Sequence, residues 1–110
     1  MKYRPISGPE AICDFCDLQP VVKIYDAAPV STIFAGHPIA ILETRWTACA
    51  TCAELIDQNR WQELTDRAAK CWLEMLRQKG QEYSYQLQFN LRQDLERLYA
   101  RFREAMGRTA

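Results

Sequence analysis

The 110-residue chain has one histidine, no net charge and no long apolar run, and each shortage excludes a class of protein. No stretch approaches the roughly 18 consecutive apolar residues that mark a membrane-spanning helix. With 14 basic and 14 acidic residues, the chain lacks the basic surplus on which nonspecific nucleic-acid binding depends. It has no Gly-rich phosphate-binding loop, and no serine or cysteine has a suitable histidine partner for nucleophilic catalysis. We therefore do not expect an enzyme.

The composition favours a small folded protein. Apolar residues make up 48% of the chain and aromatic residues 11%, which is enough to bury a core. A length of 110 residues suits one domain, or one small module with an appendage. No apolar stretch follows the charges of residues 1–5, so we expect no signal peptide and a cytoplasmic location. Thiols stay reduced in that compartment, where cysteines more often bind metal than form disulfides.

Four of the five cysteines fall into two closely spaced pairs. Cys13 and Cys16 form one C-x2-C motif, and Cys49 and Cys52 form a second after thirty-two intervening residues. Two residues between ligands let one tight turn direct both sulfurs at a common centre, and two such turns supply the four thiolates of a closed zinc site. The spacing predicts one structural Zn²⁺ per chain, bound by these four residues. Four reduced thiols packed as small apolar groups, or a disulfide or redox pair, are the alternatives.

The remaining cysteine and the single histidine are expected to lie outside the metal site. Cys71 lies in a helical pattern beside Ala68 and Trp72, which favours a buried apolar role over a fifth ligand or a reactive thiol. His37 lies in the turn-like segment 35–38. Since four thiolates already complete a tetrahedral site, we interpret His37 as a turn residue.

Between the cysteine pairs, the sequence predicts a hairpin or meander of two or three short antiparallel strands. The predicted strands are residues 21–25, 30–34 and 39–46, with turn residues at 26–29 and 35–38.

After residue 50 the apolar residues recur every three or four positions, which is typical of amphipathic helices. A first helical segment is predicted to end near Gly80, with a break at about 57–60 where Asn59 and Gln62 have the spacing of a capping box. A second helix is predicted from about Tyr83 to Met106, so the two form a hairpin. Its apolar stripe consists of Leu87, Leu91, Leu95, Leu98, Phe102 and Met106.

This order of cysteine pair, strands and second pair at a helix start resembles the treble-clef zinc finger. The sequences C-D-F-C and R-W-T-A-C-A-T-C-A-E-L-I are also similar to small bacterial and phage zinc-finger proteins, over about residues 12–58. We predict an α+β fold, with a treble-clef-like zinc module at 1–58 and a helical hairpin at 59–110. A zinc ribbon, with its second pair on another hairpin, is the alternative. Treble-clef nucleases of the HNH type add a histidine-based site, which the residues after Cys52 do not provide.

The zero net charge hides an uneven distribution. Residues 1–69 hold six Lys/Arg and nine Asp/Glu, whereas residues 70–110 hold eight and five. Arginines give the last helix an excess of positive charge, so its surface could bind phosphates while Tyr83 and Tyr85 stack on bases. The alternative is an ordinary solvent-exposed helix face, with the tyrosines packed against the neighbouring helix. The arginines concerned are Arg92, Arg97, Arg101 and Arg103.

The helices favour a function in protein binding. A segment from 50 to 79 would be about 45 Å long at 1.5 Å per residue, too long for the zinc module to cover. Folding the second helix back still leaves apolar positions such as Trp72 and Phe102 open. We expect self-association or a protein partner to bury them, for example in a four-helix arrangement. The predicted function is therefore a non-enzymatic zinc-binding adaptor or regulator. Nucleic-acid binding through the arginine face, related to transcription, is the alternative.

Overall fold

The computed structural model describes residues 11–18, 20–81 and 84–107, and these residues form an α+β fold, as predicted. The predicted start of the last helix at Tyr83 lies outside the described residues. Within them, none of the helices combines the length and the apolar character that crossing a membrane requires. The strands are β1 (Val21–Asp26), β2 (Val30–Phe34), β3 (His37–Ile41) and β4 (Arg45–Cys49), and the helices are α1 (Ala50–Asp57), α2 (Trp61–Gln78) and α3 (Tyr85–Met106).

The four strands form two antiparallel pairs rather than one meander. β2 pairs with β3, whereas β1 pairs with β4 and places Val21 opposite Cys49. The predicted strand 39–46 is therefore two strands, because the chain leaves the ladder with β2 after Ile41 and joins the ladder with β1 at Arg45. The β1–β4 pairing matters for the site, since Val21 follows the first cysteine pair closely and Cys49 begins the second.

Residues in the left-handed conformation end the first two helices. Asn59 (φ 57°) donates its N–H to the carbonyl of Ile56, and Gly80 (φ 76°) donates to the carbonyl of Arg77. Both arrangements are C-terminal caps, and they confirm the predicted break near 57–60 and the stop at Gly80. The predicted capping box is wrong, because Asn59 ends α1 instead of beginning α2. The residue that precedes α2 is Arg60, whose side chain makes no cap hydrogen bond.

One hydrophobic core joins the cysteine-bearing segment to the helices. Phe102 of α3 is fully buried, with its ring centroid 4.6 Å from that of Trp46 and 5.4 Å from that of Phe15. The expectation that Phe102 lies on an open stripe is therefore wrong, because the C-terminal half of α3 packs against Phe15, between the first two cysteines, and α3 also packs against α2. Trp72, in contrast, is 37% exposed.

Hydrogen bonds hold α3 against the strands. The N–H of Ala28 donates to the carbonyl of Ala105 at 3.1 Å, near the C-terminus of α3. Near the middle of α3, Arg97 donates to the carbonyl of Ile33 at 2.9 Å. These bonds place the β2–β3 hairpin along one side of α3, while α2 packs along another.

Candidate metal centre

The four cysteines of the two C-x2-C motifs lie together in the structure. Their sulfur atoms are all within 4.8 Å of one another, and all four residues are buried. The sulfurs of Cys16 and Cys49 are 3.6 Å apart. In a tetrahedral centre with metal–sulfur bonds of about 2.3 Å, neighbouring sulfurs lie about 3.8 Å apart. The cluster therefore has the geometry to hold a metal ion.

The first pair lies in a tight turn whose backbone is directed towards the sulfur of Cys13. Asp17, with φ 62°, donates its N–H to the carbonyl of Cys13 at 3.0 Å, which closes the turn. The N–H of Phe15 lies 3.4 Å from the Cys13 sulfur and donates to it. A backbone N–H aimed at sulfur stabilises the thiolate form that a metal requires.

The second pair spans the junction between β4 and α1. Cys49 is the last residue of β4 and the N-cap of α1, and Cys52 lies in the first turn of that helix. The positive end of a helix dipole favours negatively charged groups such as thiolates. This placement agrees with the prediction from the helical pattern after Cys52, and it differs from a zinc ribbon, whose second pair would lie on a hairpin.

Asp14 connects the first turn to β4. Its N–H donates to the carbonyl of Thr47 at 2.8 Å, and its Oδ2 accepts the N–H of Thr47 at 2.8 Å. The hydroxyl of Thr47 donates to the carbonyl of Ile12, also at 2.8 Å. Since Thr47 lies two residues before Cys49, these bonds fix one cysteine pair relative to the other.

Replacing Asp14 with alanine should lower the free energy of unfolding of the metal-loaded protein by about 1.5–3 kcal/mol, the usual contribution of a hydrogen bond to a charged group. Denaturant titration with metal in excess measures this. Glu74→Ala is a suitable control, because Glu74 is exposed and its ion pair with Arg77, three residues later, should contribute under about 0.5 kcal/mol. Equal effects of the two substitutions on the free energy of unfolding would show that the hydrogen bond of Asp14 does not stabilise the site.

A guanidinium group lies beside the sulfurs. Nη2 of Arg67 is 3.9 Å from the sulfur of Cys49, and its Nε is buried with no hydrogen-bond partner among the described residues. Burial disfavours the charge of Arg67, but hydrogen bonds with Cys52 and Cys49 outweigh it and raise the pKa of the guanidinium above its ordinary value. A cation with an unsatisfied N–H in this position fits a set of negatively charged thiolates better than four neutral thiols.

Without a metal ion, the cysteine thiols differ in their pKa values. Hydrogen bonds from Cys16 and Cys52 lower the pKa of the Cys13 thiol, and the hydrogen bond with Cys13 raises the pKa of Cys16 to about 12. Four negative charges at this spacing repel one another, so a complete set of thiolates needs a cation among them. An all-thiolate donor set suits zinc, iron or Cu(I) and does not suit magnesium or calcium. The residues therefore fit a soft metal ion.

The other two singled-out residues lie outside the cluster. Cys71 is partly buried against the core and is not among the clustered cysteines, as predicted. His37 is exposed and is the first residue of β3, whereas the turn before it consists of Ala35 and Gly36. The interpretation of His37 as a turn residue is therefore wrong, because the turn ends one residue earlier, at Gly36.

The arginine face of α3 is mostly paired with acidic side chains. Arg103 differs, since it lies over the ring of Trp61, 5.8 Å from the ring centroid. The pairing lowers the positive potential that the sequence suggested for this face. The ion pairs are Arg92–Asp66, Arg97–Asp94 and Arg101–Glu104.

The sequence reasoning missed Arg67 and Asp14. Arg67 follows Leu64 by three residues and precedes Cys71 by four, so it interrupts the apolar stripe of α2. A charged residue at such a position is a usable signal of a buried partner. Asp14 gives no comparable signal, because its partner Thr47 is defined only by the fold.

Comparisons of the chain with protein-family models, with curated proteins and with solved structures find no match. The class of the protein therefore rests on its fold and site alone. It is an α+β protein with a buried cluster of four cysteines that is able to hold a metal ion. The resemblance to treble-clef zinc fingers and to bacterial or phage proteins stays a prediction.

Proposed function

We propose that the protein is a zinc-stabilised, non-enzymatic interaction module that acts as an adaptor or regulator. The buried cluster of four sulfurs within 4.8 Å of one another supports this proposal most strongly. Structural zinc sites use four protein ligands, whereas catalytic sites keep a position open for water. With one Zn²⁺ per chain, the role of the metal is to fix the first turn against the start of α1. A reducing, cytoplasmic location would keep the thiols available.

The interaction surface that we propose is an apolar groove near the end of the helical hairpin where α2 finishes and α3 begins, which we call the hairpin groove. It is a cavity of about 440 Å³, and Trp72 and Leu87 on its walls are 37% and 42% exposed. Adjacent exposed apolar groups of this size are typical of protein contact sites. The groove is lined by Phe34, Ala35, Gly36, Trp72, Leu76, Leu87, Asn90, Leu91, Gln93 and Asp94.

A second copy of the chain is the first candidate for the partner. Two hairpins packed through this groove would form a four-helix arrangement, in which each copy covers the exposed apolar residues of the other copy's groove. A helix of another protein would satisfy the same chemistry, and the oligomeric state distinguishes the two.

Mass spectrometry under native conditions tests the metal and the self-association together. We expect a dimer with one zinc per chain for the wild type, and a monomer that keeps its zinc for Leu87→Glu, because a buried carboxylate opposes association. Leu42→Glu is the control, since Leu42 is 76% exposed after β3 and outside the groove. A monomeric wild type would contradict self-association. Iron in place of zinc, or a chain without metal, would contradict the zinc proposal.

Nucleic-acid binding has less support than protein binding. Three of the four arginines singled out on α3 already pair with carboxylates within the chain. Binding to DNA or RNA that is measurable near ~50 mM salt and weakens steeply as salt rises would nevertheless favour this alternative. The absence of binding under that condition would favour the protein-interaction proposal.

A further inference from the structure

We propose that Arg67 is a positioning residue of the metal centre, which stabilises the thiolates through charge and ties α2 to them. This inference rests on the proposed zinc site. It adds a residue outside the four ligands, on a helix that supplies none of them.

The position of Arg67 is fixed by its neighbours on α2. Leu64 and Ala68, three residues before it and one after, are both fully buried in the core. Thr65 is also buried, and its hydroxyl donates to the carbonyl of Trp61 at 2.9 Å. Since this face of the helix cannot turn away from the core, the guanidinium is held beside the sulfurs.

Arg67 differs from the neighbouring arginines of α2 because its hydrogen bond goes to a sulfur atom. Arg60 and Arg77, near the two ends of α2, pair with the carboxylates of Glu63 and Glu74 at the surface. The guanidinium of Arg67 is directed inward instead, to the sulfur of Cys49 at 3.9 Å. Its buried Nε adds a second N–H that no described residue satisfies.

The charge of the proposed centre explains this arrangement. Four thiolates and one Zn²⁺ leave a net charge of about −2, since metal binding deprotonates the ligands. A buried charge is costly unless an opposite charge or hydrogen bonds compensate it. Arg67 supplies both, and its planar group with several N–H donors can face more than one sulfur. Groups of this kind around a metal typically change metal affinity 10- to 100-fold when they are lost.

The test compares zinc affinities by chelator competition at fixed pH and salt. Arg67→Met keeps most of the aliphatic stem and removes the charge, and Arg67→Lys keeps the charge. Arg77→Met is the control, on the same helix with an exposed side chain. We expect affinity to fall about 10- to 100-fold for R67M, to be largely retained in R67K and to be unchanged in R77M. Co²⁺ bound to R67M should still show the absorption of four thiolate ligands, with its charge-transfer band shifted.

The outcomes separate this inference from the proposed function. A wild type that binds zinc through four thiolates, with R67M within about twofold of it, would overturn the role of Arg67 and leave the zinc site intact. R67K as weak as R67M would show that packing, rather than charge, matters, and would also overturn the inference. If R67M fails to fold in excess zinc, a folded and loaded R67K supports the charge requirement, whereas failure of both contradicts it. A wild type without zinc would contradict the proposed function itself.

Discussion

Replacing Cys13 with serine is expected to release the metal and unfold the protein. A serine hydroxyl stays protonated at neutral pH, so the substitution leaves three thiolates and opens the site. Structural zinc contributes about 10–16 kcal/mol of apparent binding free energy in small zinc modules, and that energy is folding energy. A small domain has only about 5–15 kcal/mol of total stability. The loss of one ligand therefore removes an amount comparable with the stability of the whole fold.

The structure extends this effect beyond the metal site. The turn that begins at Cys13 carries Phe15, whose ring centroid lies 5.8 Å from that of Trp46 and 5.4 Å from that of Phe102. When the turn is released, Phe15 leaves the centre of this group of rings. We therefore expect α3 to lose its packing together with the strands, rather than unfolding confined to residues 1–58.

Metal content, solubility and near-ultraviolet circular dichroism of the purified variant measure these effects. We expect Cys13→Ser to contain no zinc, to lose the aromatic signal and to aggregate readily. Cys71→Ser is the matched control, because Cys71 is partly buried but lies outside the cysteine cluster, so this variant should keep its metal and its spectrum. A soluble C13S protein with a native aromatic spectrum would contradict a structural role for the metal.

The parts of the fold that follow from neighbouring residues could be predicted from the sequence. The stop at Gly80 depends on one residue that tolerates a positive φ, and the start of α1 after Cys49 follows from a change in apolar spacing. Strand pairing has no such local signal. Eighteen residues separate β1 from β4, and nothing in either strand predicts that they pair while β2 and β3 form the hairpin between them.

The candidate site divides in the same way. Its four cysteines could be predicted, because a tetrahedral centre imposes a spacing that is visible in the sequence. The residues around them could not, since Asp14 and Arg67 acquire their roles only when β4 and α2 are packed beside the first turn. The stripe on α3 correctly predicted an apolar face at Phe102, but which surface covers that face depends on the path of the whole chain.

Replacing Phe102 with alanine is expected to lower the free energy of unfolding by about 3–5 kcal/mol, as is usual for a buried phenylalanine. Phe102 is fully buried, and its ring lies against those of Trp46, Phe15 and Trp61, at centroid distances of 4.6, 5.4 and 6.1 Å. The substitution leaves a cavity between rigid rings that cannot close around it. Phe89→Ala on the same helix is the control, and should change stability by about 0.5 kcal/mol or less, because Phe89 is half exposed.

The same variant tests whether the metal module and the hairpin fold as one unit. Phe102 belongs to α3, yet it contacts Phe15, which lies between two of the candidate metal ligands. If the two segments fold together, urea should unfold F102A in a single transition, with tryptophan fluorescence and zinc release changing at the same, lowered midpoint. Zinc affinity should fall as well, because binding then has to stabilise a weaker fold. If residues 1–58 and 59–110 fold independently, the fluorescence transition of the hairpin would shift while zinc release kept its wild-type midpoint. That outcome would restrict the contribution of Phe102 to the hairpin and show that the shared core does not couple the segments.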